Sequence, residues 1–60
     1  MELSVYENPE KKLKSVIERV EKNQKMVFLV TRYQDNKIVS TEDFFFHNQA
    51  EWYAETWVEE

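Results

Sequence analysis

His47 is the one imidazole in the chain, with Asp43 and Glu51 four residues to either side of it. A catalytic histidine needs a carboxylate to orient it and a nucleophile or water to act on. At this spacing either acid reaches the ring only in some backbone geometries, and the ordinary reading is a histidine just before a helix N-terminus, packed or solvated. Glu42 and Asp43 are adjacent. On a strand they point to opposite faces and cannot work as a paired acid and base. On a helix they are roughly 100° apart. Glu51 and Glu55 share a helix face at i and i+4. Two carboxylates can loosely hold a divalent cation, but no calcium-loop pattern surrounds these, so a solvated face is expected. No catalytic residue, metal site or cofactor is expected, and the chain reads as a non-enzyme.

The missing residue types point the same way. Among 60 residues there is no glycine, no cysteine and one proline. Phosphate-cradling loops, the dinucleotide fingerprint, the nucleophile elbow and the GXXG loop of RNA-binding modules all require glycine. Without cysteine there is neither a disulfide nor a thiolate zinc site. The chain is short enough that a single domain, 1–60, is expected, and a domain of this size buries only about 60% of its unfolded surface. Its stability must come from one core or from a partner chain. The longest apolar run, Met26–Val30, is far below the roughly 18 residues of a membrane span. Met1-Glu2-Leu3-Ser4 lacks the basic-then-apolar pattern of a signal peptide, so the expected location is the cytoplasm, with no membrane partner.

The formal net charge of −4 conceals a layout. Six of the eight cations (Lys11, Lys12, Lys14, Arg19, Lys22 and Lys25) fall in one stretch. Residues 42–60 carry Glu42, Asp43, Glu51, Glu55, Glu59 and Glu60 with no cation. Such asymmetry marks either a binding face or two neighbouring helices that attract each other.

The elements that would position these groups follow from local patterns. Asn8-Pro9-Glu10 reads as a helix start, with asparagine as the cap and proline in the first turn. Leu13, Val16, Ile17 and Val20 then fall at i, i+3, i+4 and i+7, and Asn23 suits a left-handed terminator. The pattern predicts a helix over 9–23. Lys25–Tyr33 is rich in β-branched and aromatic residues and predicts a strand. Asp35-Asn36 suits a tight two-residue hairpin loop, which would pair Tyr33 with Ile38, Thr31 with Ser40 and Leu29 with Glu42. On the other face it would pair Arg32 with Val39 and Val30 with Thr41. The second strand is expected to reach about Phe46. A capping box, Asn48 with Glu51, then opens a final helix over 49–58 that buries Ala50, Tyr53, Ala54, Trp57 and Val58. The competing expectation is a longer helix capped at Ser40 or Thr41. Leu3 and Val5 alternate with Ser4 and Tyr6, so the N-terminus can add an edge strand. The expected fold is α+β: a small (β)-α-β-β-α domain, its two- or three-stranded antiparallel sheet carrying two helices on one face.

Nine aromatics are hard to bury in 60 residues. With the final helix burying Tyr53 and Trp57, Trp52 points partly outward. With the strand burying Phe44 and Phe46, Phe45 points to the other face, together with some of Met26, Phe28 and Val30. An exposed apolar face beside acids marks a protein-binding surface or a homodimer seam. The expected function is therefore a protein-binding module, a small acidic inhibitor or adaptor. Its expected partner-binding residues are Phe45, Trp52, Glu42, Asp43, Glu51 and Glu55, and its expected partner is a protein with a basic site. In style, though not by any motif, this resembles the small acidic viral proteins with which bacteriophages block host enzymes or defence systems. The alternatives are nucleic-acid binding through the basic helix 9–23, which a calculated pI near 4.9 argues against, and a homodimeric or structural subunit.

Overall fold

The computed structural model describes residues 2–59. Four strands, β1 (Glu2–Asn8), β2 (Leu13–Lys22), β3 (Lys25–Gln34) and β4 (Lys37–Phe44), precede one helix, α1 (His47–Glu59). The strands form an antiparallel meander in the order β1-β2-β3-β4, and α1 packs across one face. The protein is thus mostly sheet with a single helix, not two helices on a two- or three-stranded sheet.

The largest correction concerns residues 9–23. No helix forms there; Leu13–Lys22 is a central strand. Its apolar residues serve both faces of the sheet: Leu13 and Ile17 are buried toward α1, and Val16 is buried on the opposite face. A strand with buried apolar residues on both faces loses its clean alternation. What remains, Leu13, Val16, Ile17 and Val20, coincides with a helical spacing. Three of those four residues are β-branched, which favours the strand.

The capping signal at Asn8 is real but short-lived. Its side-chain oxygen accepts a hydrogen bond from the Lys11 amide at 3.3 Å, as a helix cap would. The Lys12 amide donates to the Pro9 carbonyl at 3.3 Å, closing one turn. Lys12 then adopts φ 58°, and the chain reverses into β2 instead of continuing the helix.

The other two connections are two-residue hairpin loops. Asn23 and Gln24 have φ of 52° and 65°; Asp35 and Asn36 have 53° and 65°. Positive φ at both positions gives the loop a twist that matches the strands, and glycine is normally favoured there. Here asparagine, glutamine and aspartate carry the conformation. Asn23 is left-handed as expected, but in a hairpin loop rather than at a helix end.

The β3–β4 hairpin pairs Tyr33 with Ile38 as expected, then slips. A bulge between Arg32 and Tyr33 leaves Val39 as the extra residue, so Arg32 pairs with Ser40, Val30 with Glu42 and Leu29 with Asp43. The slip carries Phe44 opposite Phe28, on the side facing the helix. The strand ends there, two residues earlier than expected, and α1 begins at His47 rather than at an Asn48 cap.

The core lies between sheet and helix. Ile17, Val30, Ala50 and Ala54 are fully buried, with Tyr6, Phe28, Phe44 and Tyr53 packed around them. Alanine at 50 and 54 lets the helix lie close to the sheet. Val30 and Phe28, expected in part on the bare face, sit beneath the helix, whereas Tyr53 and Trp57 are only half-buried. Polar side chains of the sheet bind helix carbonyls: Ser15 Oγ donates to Ala54 at 3.0 Å and Asn8 Nδ2 to Val58 at 2.7 Å. The latter satisfies a carbonyl of the last helical turn, which has no partner within the helix. In return Trp57 Nε1 donates to the Tyr33 carbonyl at 3.0 Å.

Candidate protein-binding surfaces

The chemistry tested at His47 resolves into a local contact. Its Nδ1 lies 3.0 Å from Glu51 Oε1, one helical turn on, and its ring stands 5.2 Å from that of Phe28. Asp43 takes no part; it pairs with Lys22 Nζ at 2.6 Å. Glu42 and Asp43 point to opposite faces of β4, as a strand requires. Among the described residues no cluster of histidine, aspartate and glutamate has the composition of a metal site. Among the described residues no helix is long and apolar enough to cross a membrane.

The expected partner-binding residues divide between different sides of the molecule. Phe45 is 66% exposed just beyond β4. With Lys22, Lys25, Val27 and Asp43 it lines a shallow groove of about 290 Å³. Val27 alternates with Phe28, so this groove opens on the face away from the helix. Trp52 is also 66% exposed, but it lies on α1. Ala50, Ala54 and Val58 turn toward the sheet, which places Trp52 on the outward side, roughly 200° round from Ala50. Phe45 and Trp52 therefore belong to different layers. Phe46, 63% exposed at the junction of β4 and α1, was expected in the core and is instead a further surface aromatic.

Glu42 is exposed on the helix side of β4. Glu51 and Glu55 occupy the flank of α1 that faces β1. There the Tyr6 hydroxyl donates a long hydrogen bond, 3.4 Å, to Glu51 Oε2. Partial burial of Tyr6, followed by the neighbouring charges of Glu51 and Glu55, raises its phenol pKa above 10.0. On the opposite flank Arg32 lies under Tyr53 and Trp57, its guanidinium carbon 3.4 Å and 5.2 Å from their ring centroids. Arg32 Nη2 also donates to the Tyr53 carbonyl at 2.9 Å. Neither cluster was found by reasoning from sequence. The alternation of Ser4 and Tyr6 with Leu3 and Val5 was the available signal for the first.

The cations of residues 11–25 form no helical stripe. Lys11 and Lys12 sit in the β1–β2 turn. Lys14 and Lys22 share one face of β2, and Arg19 lies on the other. Lys14 Nζ stands 4.7 Å over the Tyr33 ring and Lys22 is engaged by Asp43. The helix proposed as a nucleic-acid contact does not exist, so that reading loses its structural basis. Comparison with known protein families, curated proteins and solved structures gives no match for this chain.

Proposed function

We propose that the chain is a non-enzymatic protein-binding module that acts as a small acidic inhibitor or adaptor. The observation that carries this reading is the exposure of Phe45, Phe46 and Trp52, each about two-thirds open to solvent. Aromatic side chains supply most of the energy in protein interfaces when they fill a partner's pocket. Leaving three of them outside so small a core forgoes burial that the fold itself needs. Acids lie beside Trp52, with Glu55 on the adjoining flank of α1, which suits a partner with a basic rim there. At Phe45 the one acid, Asp43, is paired with Lys22. The mechanism is steric: an anchored domain occupies a site that another molecule would use.

The two anchors lie on different layers, so they are tested separately. Affinity capture from the source cells, read by mass spectrometry, is compared for wild type, Phe45→Ser, Trp52→Ser and the double variant. A partner held by wild type and lost with one single variant identifies the working anchor. A partner retained equally by all three variants would reject the aromatic surface.

A further inference from the structure

The edge strand β1 stands open beside two acids. Strand order leaves the outer side of β1 without a neighbour in the sheet, so alternate backbone N–H and C=O groups there are unpaired. From Ser4 to Asn8 its register with β2 is regular, giving a five-residue template. The other edge, β4, is regular over an equal length, Ser40–Phe44, beyond its bulge at Val39. What sets β1 apart is the pair of helix acids beside it. The side chains of β1 divide cleanly. Tyr6 and Asn8 bind the helix, so Ser4, Tyr6 and Asn8 face α1. Val5, 42% exposed, faces the bare side of the sheet, and Leu3, 37% exposed, lies beside it at the register shift.

On the helix side this edge is anionic. Glu51 and Glu55 stand next to Tyr6, and neither β1 nor α1 contains a lysine or arginine, although Glu51 also meets His47 Nδ1 at 3.0 Å and Arg19 lies on the helix side of β2. Two copies of the chain joined β1 to β1 would bring like charges together with no cation from either element. An occupant that brings cations of its own suits these acids better than a second copy does. We infer that β1 accepts an extended, basic segment of a partner protein as a fifth strand. Its alternate residues are apolar beside Leu3 and Val5, and cationic beside Glu51 and Glu55. Main-chain hydrogen bonds hold the segment, and the two side-chain rows select its sequence. The inference rests on the reading of the chain as a protein-binding module, and it names the chemistry taken by an edge separate from Phe45 and Trp52.

The probe is a capped peptide of the length of β1 that alternates lysine with valine, titrated into the ¹⁵N-labelled protein and followed by amide chemical shifts. Shifts concentrated in residues 3–8, with slowed hydrogen exchange there, are expected. Glu51→Gln with Glu55→Gln keeps the Tyr6 contact feasible and is expected to weaken binding roughly fivefold to tenfold. A peptide of the same sequence, N-methylated at alternate residues on either edge in turn, is expected to lose binding for one of the two patterns. No shift at millimolar peptide, shifts mapping to β4 or the outer helix face, or indifference to both changes would overturn the inference. None of those outcomes touches the Phe45 and Trp52 captures, which test the broader reading independently.

Discussion

Arg32 is gripped by a single residue in two ways: its guanidinium carbon lies 3.4 Å over the Tyr53 ring, and its Nη2 donates to the Tyr53 carbonyl at 2.9 Å. The charge thus ties β3 to the later turns of α1, where carbonyl dipoles also favour a cation. No carboxylate of the described residues is among its ion-pair or hydrogen-bond partners. Lysine retains the charge but has neither the planar face nor the fork. Arg32→Lys is expected to cost about 1–2 kcal/mol, combining a cation–π contact with a charge-assisted hydrogen bond. Urea denaturation followed by tryptophan fluorescence measures it. A loss below a few tenths would mean that the stack contributes nothing.

Ala54 is fully buried against the sheet, and its carbonyl accepts from Ser15. Ala54→Leu inserts volume where helix and sheet are closest. It is expected to destabilise by about 1–3 kcal/mol and to lift the helix from the sheet. Trp52→Leu, at a position that faces solvent, serves as the control. Equal denaturation midpoints for the two variants would contradict the packing described.

The hairpin loops hold non-glycine residues at positive φ. At Gln24, φ is 65°. Gln24→Gly removes that conformational cost and gives the asparagine–glycine pair that such a loop prefers, at the expense of some unfolded-state entropy. The expected net gain is about 0.5–1 kcal/mol. Thermal unfolding of the two proteins side by side checks the sign. A loss would count against a two-residue loop with both residues left-handed.

Tyr6 gives the protein an alkaline limit. Its folded pKa lies above the unfolded value of 10.0. In that interval the folded state holds a proton that the unfolded chain has released, so stability falls as pH rises. The contribution is complete below 10.0 and is lost through the folded pKa. Tyr6→Phe is expected to flatten the decline and to remove a component of the phenolate absorbance titration that lies above 10.0. An unchanged profile would mean that the burial and acids around this hydroxyl have no effect on it.

What the sequence disclosed depended on how local each cause is. The Asp35-Asn36 loop, the final helix near Ala50–Val58 and the outward position of Trp52 follow from short patterns, and all are present. The Tyr33–Ile38 pair was legible, but the bulge at Val39 was not, because an extra residue leaves no mark on composition. The error over residues 9–23 has a definite origin. A strand buried on both faces and a helix with one apolar face share the spacing of Leu13, Val16, Ile17 and Val20, and the Asn8 cap is the same interaction in both. Only the run of β-branched residues separates them, together with the availability of β3 as a pairing partner. Exposure of Phe45 was anticipated, whereas its separation from Trp52 depends on which layer each element joins.

The meander also fixes an order of events. Every strand pairs with its neighbour in sequence, so each hairpin can close as soon as its second strand is made. The helix that covers Ile17 and Val30 is encoded after all four strands. Until α1 docks, the sheet has its future core uncovered, and in that interval the chain is most open to mispairing along β1.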